Sequence, residues 1–304
     1  MAFGACWPFT MSSCVELKRV RPLLGTLVEI CARAKCEALV RMGMTHAFDT
    51  IAEVQRLMSF HESSSDVSRM NREAFNQPVR VHRWTWRVLA RAQEFALGSR
   101  GAFDITIAPL LSKWGYLPRG LPTDTAATFR DIILGPESLV RFARPLALDL
   151  GGIAKGFAVD RAVEALRDAE IEHGIVNAGG DLRAFGKDAE QIYLRDPSRP
   201  EGAAGVVQLR NRAIATSGVY FSWKTYRGAV VSPLLDGRNR QPLVQNVSVA
   251  VSAPECMTAD ALTKIVLARG EASAALLRAS RADAVVLERG KTPRLLTAHA
   301  PEFR

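Results

Sequence analysis

Leu148 to Phe157 reads Leu-Asp-Leu-Gly-Gly-Ile-Ala-Lys-Gly-Phe, a set of residues suited to holding an anion. The pattern predicts an apolar strand running into paired glycines and then directly into a helix carrying Phe157, Val159, Val163 and Leu166. Glycines at such a junction let backbone and ligand come close, and a helix start offers N–H groups without partners inside the helix. The positive end of the helix and the Lys155 ammonium would then favour a phosphate. A tight turn between strand and helix is the plainer reading, and these residues alone leave both open. The junction has neither the G-x-x-x-x-G-K-[ST] spacing of a P-loop nor the G-x-G-x-x-G of a dinucleotide turn.

Other residues of chemical interest are spread along the chain. Asp260 and Lys264 stand four apart in a segment with helical periodicity, so a carboxylate and an ammonium share one helical face. His61 lies in a loop, as a solvated side chain or against a ligand. Asp104 follows Gly101-Ala102-Phe103, either as a turn carboxylate or as a ligand contact. Thr216-Ser217-Gly218 offers two hydroxyls at the end of a strand.

These groups need a scaffold. Gly25 to Ile30 reads as an early strand. A long amphipathic helix then carries Val40, Met44, Ala47, Phe48, Ile51, Val54 and Met58. Glu62 to Ser68 reads as a Ser-rich loop, and Trp84 to Leu97 as a helix ended by Gly98. A Pro/Gly-rich loop reaches Thr123. Further strands are expected at Gly174–Asn177, Ile192–Leu194, Val206–Leu209, Ala213–Ala215, Val247–Val251 and Ala284–Leu287. The last helices are expected at Thr258–Ala268 and Glu271–Ala279. Grouped strands with grouped helices favour α+β over regular βαβ alternation.

Hydrophobic residues make up 48% and charged residues 23% of the chain, a balance suited to a globular fold, with no apolar run long enough to span a membrane. The net charge of +9 admits an anionic partner, but the arginines are scattered and no aromatic-basic interleaving occurs, which argues against nucleic acid. Five cysteines (Cys6, Cys14, Cys31, Cys36, Cys256) form no CxxC pair, as expected of reduced thiols in the cytoplasm. The first ten residues lack a basic region and a long apolar stretch, which argues against a signal peptide, and Met11 is a second candidate start.

Seven segments in order give the chain a resemblance to the FAD:protein FMN transferases, the ApbE family. They are Leu24-Gly25-Thr26; Met58-Ser59 with Ser65-Asp66 and Asn71; Phe103-Asp104 with Pro109 and Trp114-Gly115; Asp149–Gly156 with Asp160; Asn177-Ala178-Gly179-Gly180-Asp181; Ala215-Thr216-Ser217-Gly218; and Ala259-Asp260-Ala261-Leu262. The resemblance implies an ApbE-like α+β fold with mixed, mostly antiparallel sheets and flanking helices. The expected organisation is an N-terminal tail over 1–20 and one domain over 21–304 of two intimately packed halves. It implies transfer of FMN from FAD to a threonine hydroxyl of an acceptor protein, with release of AMP. Flavin contacts would come from His61, Ala102, Phe103, Asp104, Gly151, Phe157 and Leu234. It further implies a Mg²⁺ site built on the Ala154 carbonyl and Asp260; Asp260 and Lys264, one helical turn apart, are the expected catalytic pair of this chain. Two positions depart from the family pattern: Lys264 replaces a ligand threonine, and Pro233 replaces a histidine. An FAD-holding relative without transfer chemistry, as a flavin carrier or partner of a redox protein, therefore stays open as the alternative.

Overall fold

The computed structural model describes residues 14–120, 126–197, 201–219 and 222–297. The first ten residues, Cys6, Met11 and Thr123 lie outside them. The chain starts with β1 (Val15–Leu23), β2 (Thr26–Ala34), α1 (Glu37–Met58), α2 (Asp66–Glu73), β3 (Val79–Arg80), α3 (Arg83–Gly98) and α4 (Ala108–Lys113). Then come β4 (Ile132–Leu134), β5 (Leu139–Phe142), α5 (Ala154–Asp168), β6 (His173–Ala178), β7 (Asp181–Phe185), β8 (Glu190–Arg195), β9 (Ala203–Leu209) and β10 (Ala213–Gly218). The small pairs β11 (Lys224–Tyr226) with β12 (Ala229–Val231), and β13 (Leu235–Asp236) with β14 (Gln241–Pro242), follow. The described chain finishes with β15 (Val247–Ala253), α6 (Cys256–Arg269), α7 (Ala274–Ala279), β16 (Asp283–Glu288) and β17 (Arg294–Leu295).

Eight strands form the main sheet in the order β1-β2-β6-β7-β10-β15-β16-β17, and each neighbouring pair is antiparallel. Helices α1, α5 and α6 pack beside one another and against this sheet. In α1, Val40, Met44, Ala47, Phe48, Ile51 and Val54 recur on one face and are all fully buried. Burial of each large apolar side chain contributes about 1.5–3 kcal/mol, which makes such a stripe the main force docking the helix. A smaller cluster of Leu194, Val207, Leu209, Ile214 and Val285 seats the β8–β9 hairpin on the sheet.

The structure corrects the sequence reading in five places. Val15 to Val20, placed in a tail, belong to β1, which pairs with β2 along its whole length. Asp66 to Glu73 is helical: Ser65 caps α2 by accepting the Ser68 N–H, so the Ser-rich loop ends at Ser65, three residues before Ser68. Leu148 to Leu150 is extended but joins no sheet. Helix α3 runs through Gly98 and stops where Arg100 (φ 56°) and Gly101 (φ 83°) turn left-handed, with the Gly101 N–H on the Ala96 carbonyl at 2.7 Å. The last predicted helix splits into a 3₁₀ turn at Gly270–Ser273 and α7. No described helix is long and apolar enough to cross a membrane.

Candidate active site

A cleft of about 410 Å³ opens where the β1–β2 turn, the end of α1 and the glycine junction meet. Leu24, Gln55 and His61 form one side of it, and Asp149, Gly151, Ala154 and Lys155 the other. Another hollow, of about 550 Å³, lies at Gln245–Val247 and Glu288–Arg289, but none of the segments that could do chemistry lines it.

The glycine junction is held by side chains instead of a sheet. The Asn71 amide grips Leu148 at both ends, donating to its carbonyl at 3.0 Å and accepting from its N–H at 2.9 Å. The Asp149 N–H goes to the Ile105 carbonyl at 2.8 Å. A polar side chain thus does the work of a neighbouring strand, and the apolar run alone could not reveal it. Asp149 is half-buried and turns its Oδ2 onto the Gly151 N–H at 3.0 Å. Burial pushes its carboxyl above the ordinary range, opposed by the Gly151 N–H and by His61.

Three N–H groups at the start of α5 are already engaged within the protein, where the sequence suggested that they would face the cleft. Ala154 N–H bonds the Leu150 carbonyl at 2.9 Å, Phe157 N–H the Ile153 carbonyl at 3.2 Å, and Gly156 N–H the Asp260 Oδ2 at 3.1 Å. The cation facing the cleft is Lys155, whose side chain is about one-third exposed.

Behind Lys155 lies a buried group of two ammoniums and two carboxylates. Lys155 Nζ pairs with Asp181, and Lys264 Nζ pairs with Asp260 Oδ1 and also donates to the Asp260 carbonyl at 3.0 Å. Burial and the neighbouring Asp260 charge push the Asp181 carboxyl up, while Lys155 and Lys264 pull it down. Burial works against the Lys155 ammonium, but Asp260 and Asp181 outweigh it and hold the lysine above its ordinary value. Asp181 is aimed by the β6–β7 turn, where Gly179 (φ 67°) and Gly180 (φ 99°) adopt left-handed backbone and Asn177 Oδ1 accepts the Gly180 N–H at 2.9 Å. A Cβ on Gly179 would sit 2.6 Å from Thr26 Oγ1, so two segments about 150 residues apart meet only with glycine there. A Cβ on Gly156 would overlap the Cys256 carbonyl, so this glycine sets how closely α5 approaches α6. Asp160 completes the crossing by accepting the Cys256 and Met257 N–H groups at 2.8 Å each and Arg183 Nη1 at 2.7 Å.

A family model described as "ApbE family" matches residues 24–287. This chain belongs to the ApbE family. It is 31% identical over 238 residues to the FAD:protein FMN transferase of Vibrio cholerae, covering 73% of this chain and 71% of that one. It is 29% identical over 295 residues to the protein of the same name from Treponema pallidum, covering 86% and 82%. Among solved structures, the ApbE protein of Thermotoga maritima superposes with a TM-score of 0.81 at 25% identity, covering 92% of this chain and 97% of that one. The flavin transferase ApbE of Vibrio cholerae does so with a TM-score of 0.77, also at 25% identity, covering 93% and 96%. The α+β fold expected from the sequence is therefore the ApbE fold.

Within this ApbE chain, the residues assigned by resemblance separate into two groups. His61, Gly151 and Ala154 line the cleft. Phe157 does not: it is buried in the core, its ring edge-on to Trp84 at 6.2 Å, because α5 is covered on nearly every side from Gly156 to Val163. Asp104 is not among the cleft residues either. Its carboxylate accepts Thr106 N–H and Oγ1 at 2.8 Å each, the Phe129 N–H at 3.3 Å and Arg240 at 3.4 Å. Ala102 uses its carbonyl on the Gly237 N–H at 3.0 Å, and half-buried Leu234 receives Leu243 N–H on its carbonyl at 2.8 Å. Phe103 stands behind the junction, 3.4 Å from where a Cβ on Gly152 would lie, in the same crevice as the Lys264 stem. Asp236, beside Pro233, is held by Arg238 Nε and Nη2 and is structural.

The donors for Mg²⁺ do not fit. One Asp260 oxygen is taken by Gly156 N–H and the other by the Lys264 ammonium. Thr263, one place before Lys264, turns its Oγ1 to the Asp260 carbonyl at 2.7 Å and meets Ser217 Oγ at 2.8 Å. Among the described residues no group of three His, Cys, Asp or Glu side chains is arranged to hold a metal ion. Sequence reasoning singled out Lys155 as a cation for a phosphate but passed over Asp149 and Asp181 as site members, although both stand in the motifs Asp149–Gly156 and Asn177–Asp181 that carried the resemblance.

Proposed function

We propose that this chain moves FMN from FAD to a threonine hydroxyl of an acceptor protein and releases AMP. One observation carries the reading: a carboxylate, an ammonium and an imidazole converge on one cleft at the glycine junction of an ApbE fold. The FAD diphosphate would lie against Lys155, whose fixed charge offsets the negative charge on the oxygens. As the acceptor oxygen bonds to the FMN phosphorus, the bond from that phosphorus to the AMP phosphate oxygen breaks and AMP departs. The hydroxyl proton goes to Asp149, since Pro233 can take none and Lys155 stays protonated against Asp181. Burial makes Asp149 a better proton acceptor than a solvated carboxylate.

The test is mass spectrometry of a threonine-bearing acceptor protein after incubation with FAD, looking for the added FMN mass and for free AMP. Saturable FAD binding without either product would replace this reading by that of an FAD-holding protein, the alternative favoured by Pro233. Cys14, Cys31, Cys36 and Cys256 carry free thiols, which supports cytoplasmic placement; recovery in a secreted or periplasmic fraction would count against it.

Gly151→Val tests the location of the substrate. A Cβ at this position would lie 2.9 Å from Asp149 Oδ2, so the side chain displaces Asp149 and narrows the cleft. FAD affinity is expected to fall by about tenfold, equivalent to about 1.4 kcal/mol, in a flavin-fluorescence titration. Unchanged affinity would remove FAD from this cleft.

A further inference from the structure

We infer that this chain binds its dinucleotide without a divalent ion, using Lys264 as a tethered internal cation behind Lys155. The inference rests on the flavin-transfer reading for the identity of the dinucleotide, but its physical basis is the arrangement of the charges. A divalent ion on Asp260 needs a carboxylate oxygen with room for a compact shell of oxygen ligands. Here Oδ2 is committed to the Gly156 N–H and Oδ1 to Lys264 Nζ, and the residue is completely buried. An approaching cation would meet the ammonium first and be repelled by it.

Lys264 is also fixed in place. Its Nζ is tied at two points of Asp260, the carboxylate and the main-chain carbonyl, one helical turn back along α6. The stem runs past the glycine junction, its Cε 3.9 Å from where a Cβ on Gly152 would lie. A lysine in solvent keeps several rotamers, whereas this one has lost that freedom before any ligand arrives. It balances Asp260, and Asp181 balances Lys155 in turn. The one-third of Lys155 that remains exposed is what the cleft presents to a diphosphate. An ammonium neutralises charge as a point, without bridging two phosphate oxygens as an ion does, so binding is preserved while the response to Mg²⁺ is lost.

Two measurements test this. In the first, Mn²⁺ is titrated into the nucleotide-free protein and followed by electron paramagnetic resonance. The unmodified chain is expected to leave Mn²⁺ free, and Lys264→Thr to acquire one bound ion, which Asp260→Asn in the same background removes. In the second, FAD affinity is measured by flavin fluorescence with a chelator and with excess Mg²⁺. The unmodified chain is expected to give the same affinity under both conditions, whereas Lys264→Thr is expected to bind about tenfold more tightly with Mg²⁺, a difference of about 1.4 kcal/mol. A stoichiometric Mn²⁺ site in the unmodified chain that Asp260→Asn abolishes overturns the inference. So does a tenfold tightening of its FAD binding by Mg²⁺. If Lys264→Thr fails to fold, these two results on the unmodified chain decide the matter. Absence of FAD binding under both conditions overturns the flavin reading, and the Mn²⁺ titration then judges the metal-free site alone.

Discussion

Asp149→Asn is expected to slow FMN transfer by about 10²- to 10⁴-fold, the usual worth of a positioned proton acceptor, while FAD affinity changes little. Asparagine keeps an oxygen for the Gly151 N–H, so the turn survives and only the basic group is lost. Asp149→Glu retains a carboxylate and is expected to recover part of the rate. The pH profile gives an independent check. Burial raises the Asp149 pKa, so activity carried by its ionised form is lost on acidification at a higher pH than for a solvated carboxylate. Single-turnover transfer measured across pH for the three proteins tests both points. An Asp149→Asn protein as fast as the parent would assign the proton to another group, with His61 the first to examine.

Lys264→Met is expected to destabilise the fold by about 3–5 kcal/mol, because it leaves the Asp260 carboxylate buried with no cation in contact. Removing both charges, as Asp260→Leu with Lys264→Met, is expected to cost much less than the single change, since no uncompensated charge remains. Denaturant unfolding of the two single variants, the double variant and the parent completes the cycle. A loss below about 0.5 kcal/mol for Lys264→Met, the range of ordinary surface substitutions, would mean that water reaches Asp260 and that the pair is not closed.

The elements legible in the sequence were those whose burial follows a single period. The stripe from Val40 to Val54 and the run Gly174–Asn177, which lies within β6 (His173–Ala178), are of this kind. β1 was hidden because it is an edge strand, with exposed Glu16, Lys18 and Val20 alternating against half-buried neighbours. Charged residues on such an edge discourage further pairing and make it look like solvent-exposed chain. Leu148–Leu150 misled for the opposite reason: with Leu148 and Leu150 buried it resembles a strand, but its partner is the Asn71 side chain 77 residues earlier. In the site, His61, Gly151 and Ala154 were recognisable from their motifs, and the Asp260–Lys264 contact from helical spacing. The inward turn of Phe157 and the fourfold use of Asp104 depend on neighbours that no local pattern encodes.

The crossing of α5 and α6 has a consequence for the order in which the protein assembles. Asp160 and Gly156 are matched to Cys256, Met257 and Asp260, roughly a hundred positions later in the chain. While the polypeptide is being made, these partners emerge about a hundred residues later, so Gly156 and Asp160 wait in a hydrated state. Closing so long a loop before any local reward is slow, which places expulsion of water from the four charges among the last events of folding. A chain stalled short of Cys256 would display β2 and β6 in register and still lack the partners that hold Gly156 and Asp160 behind the cleft.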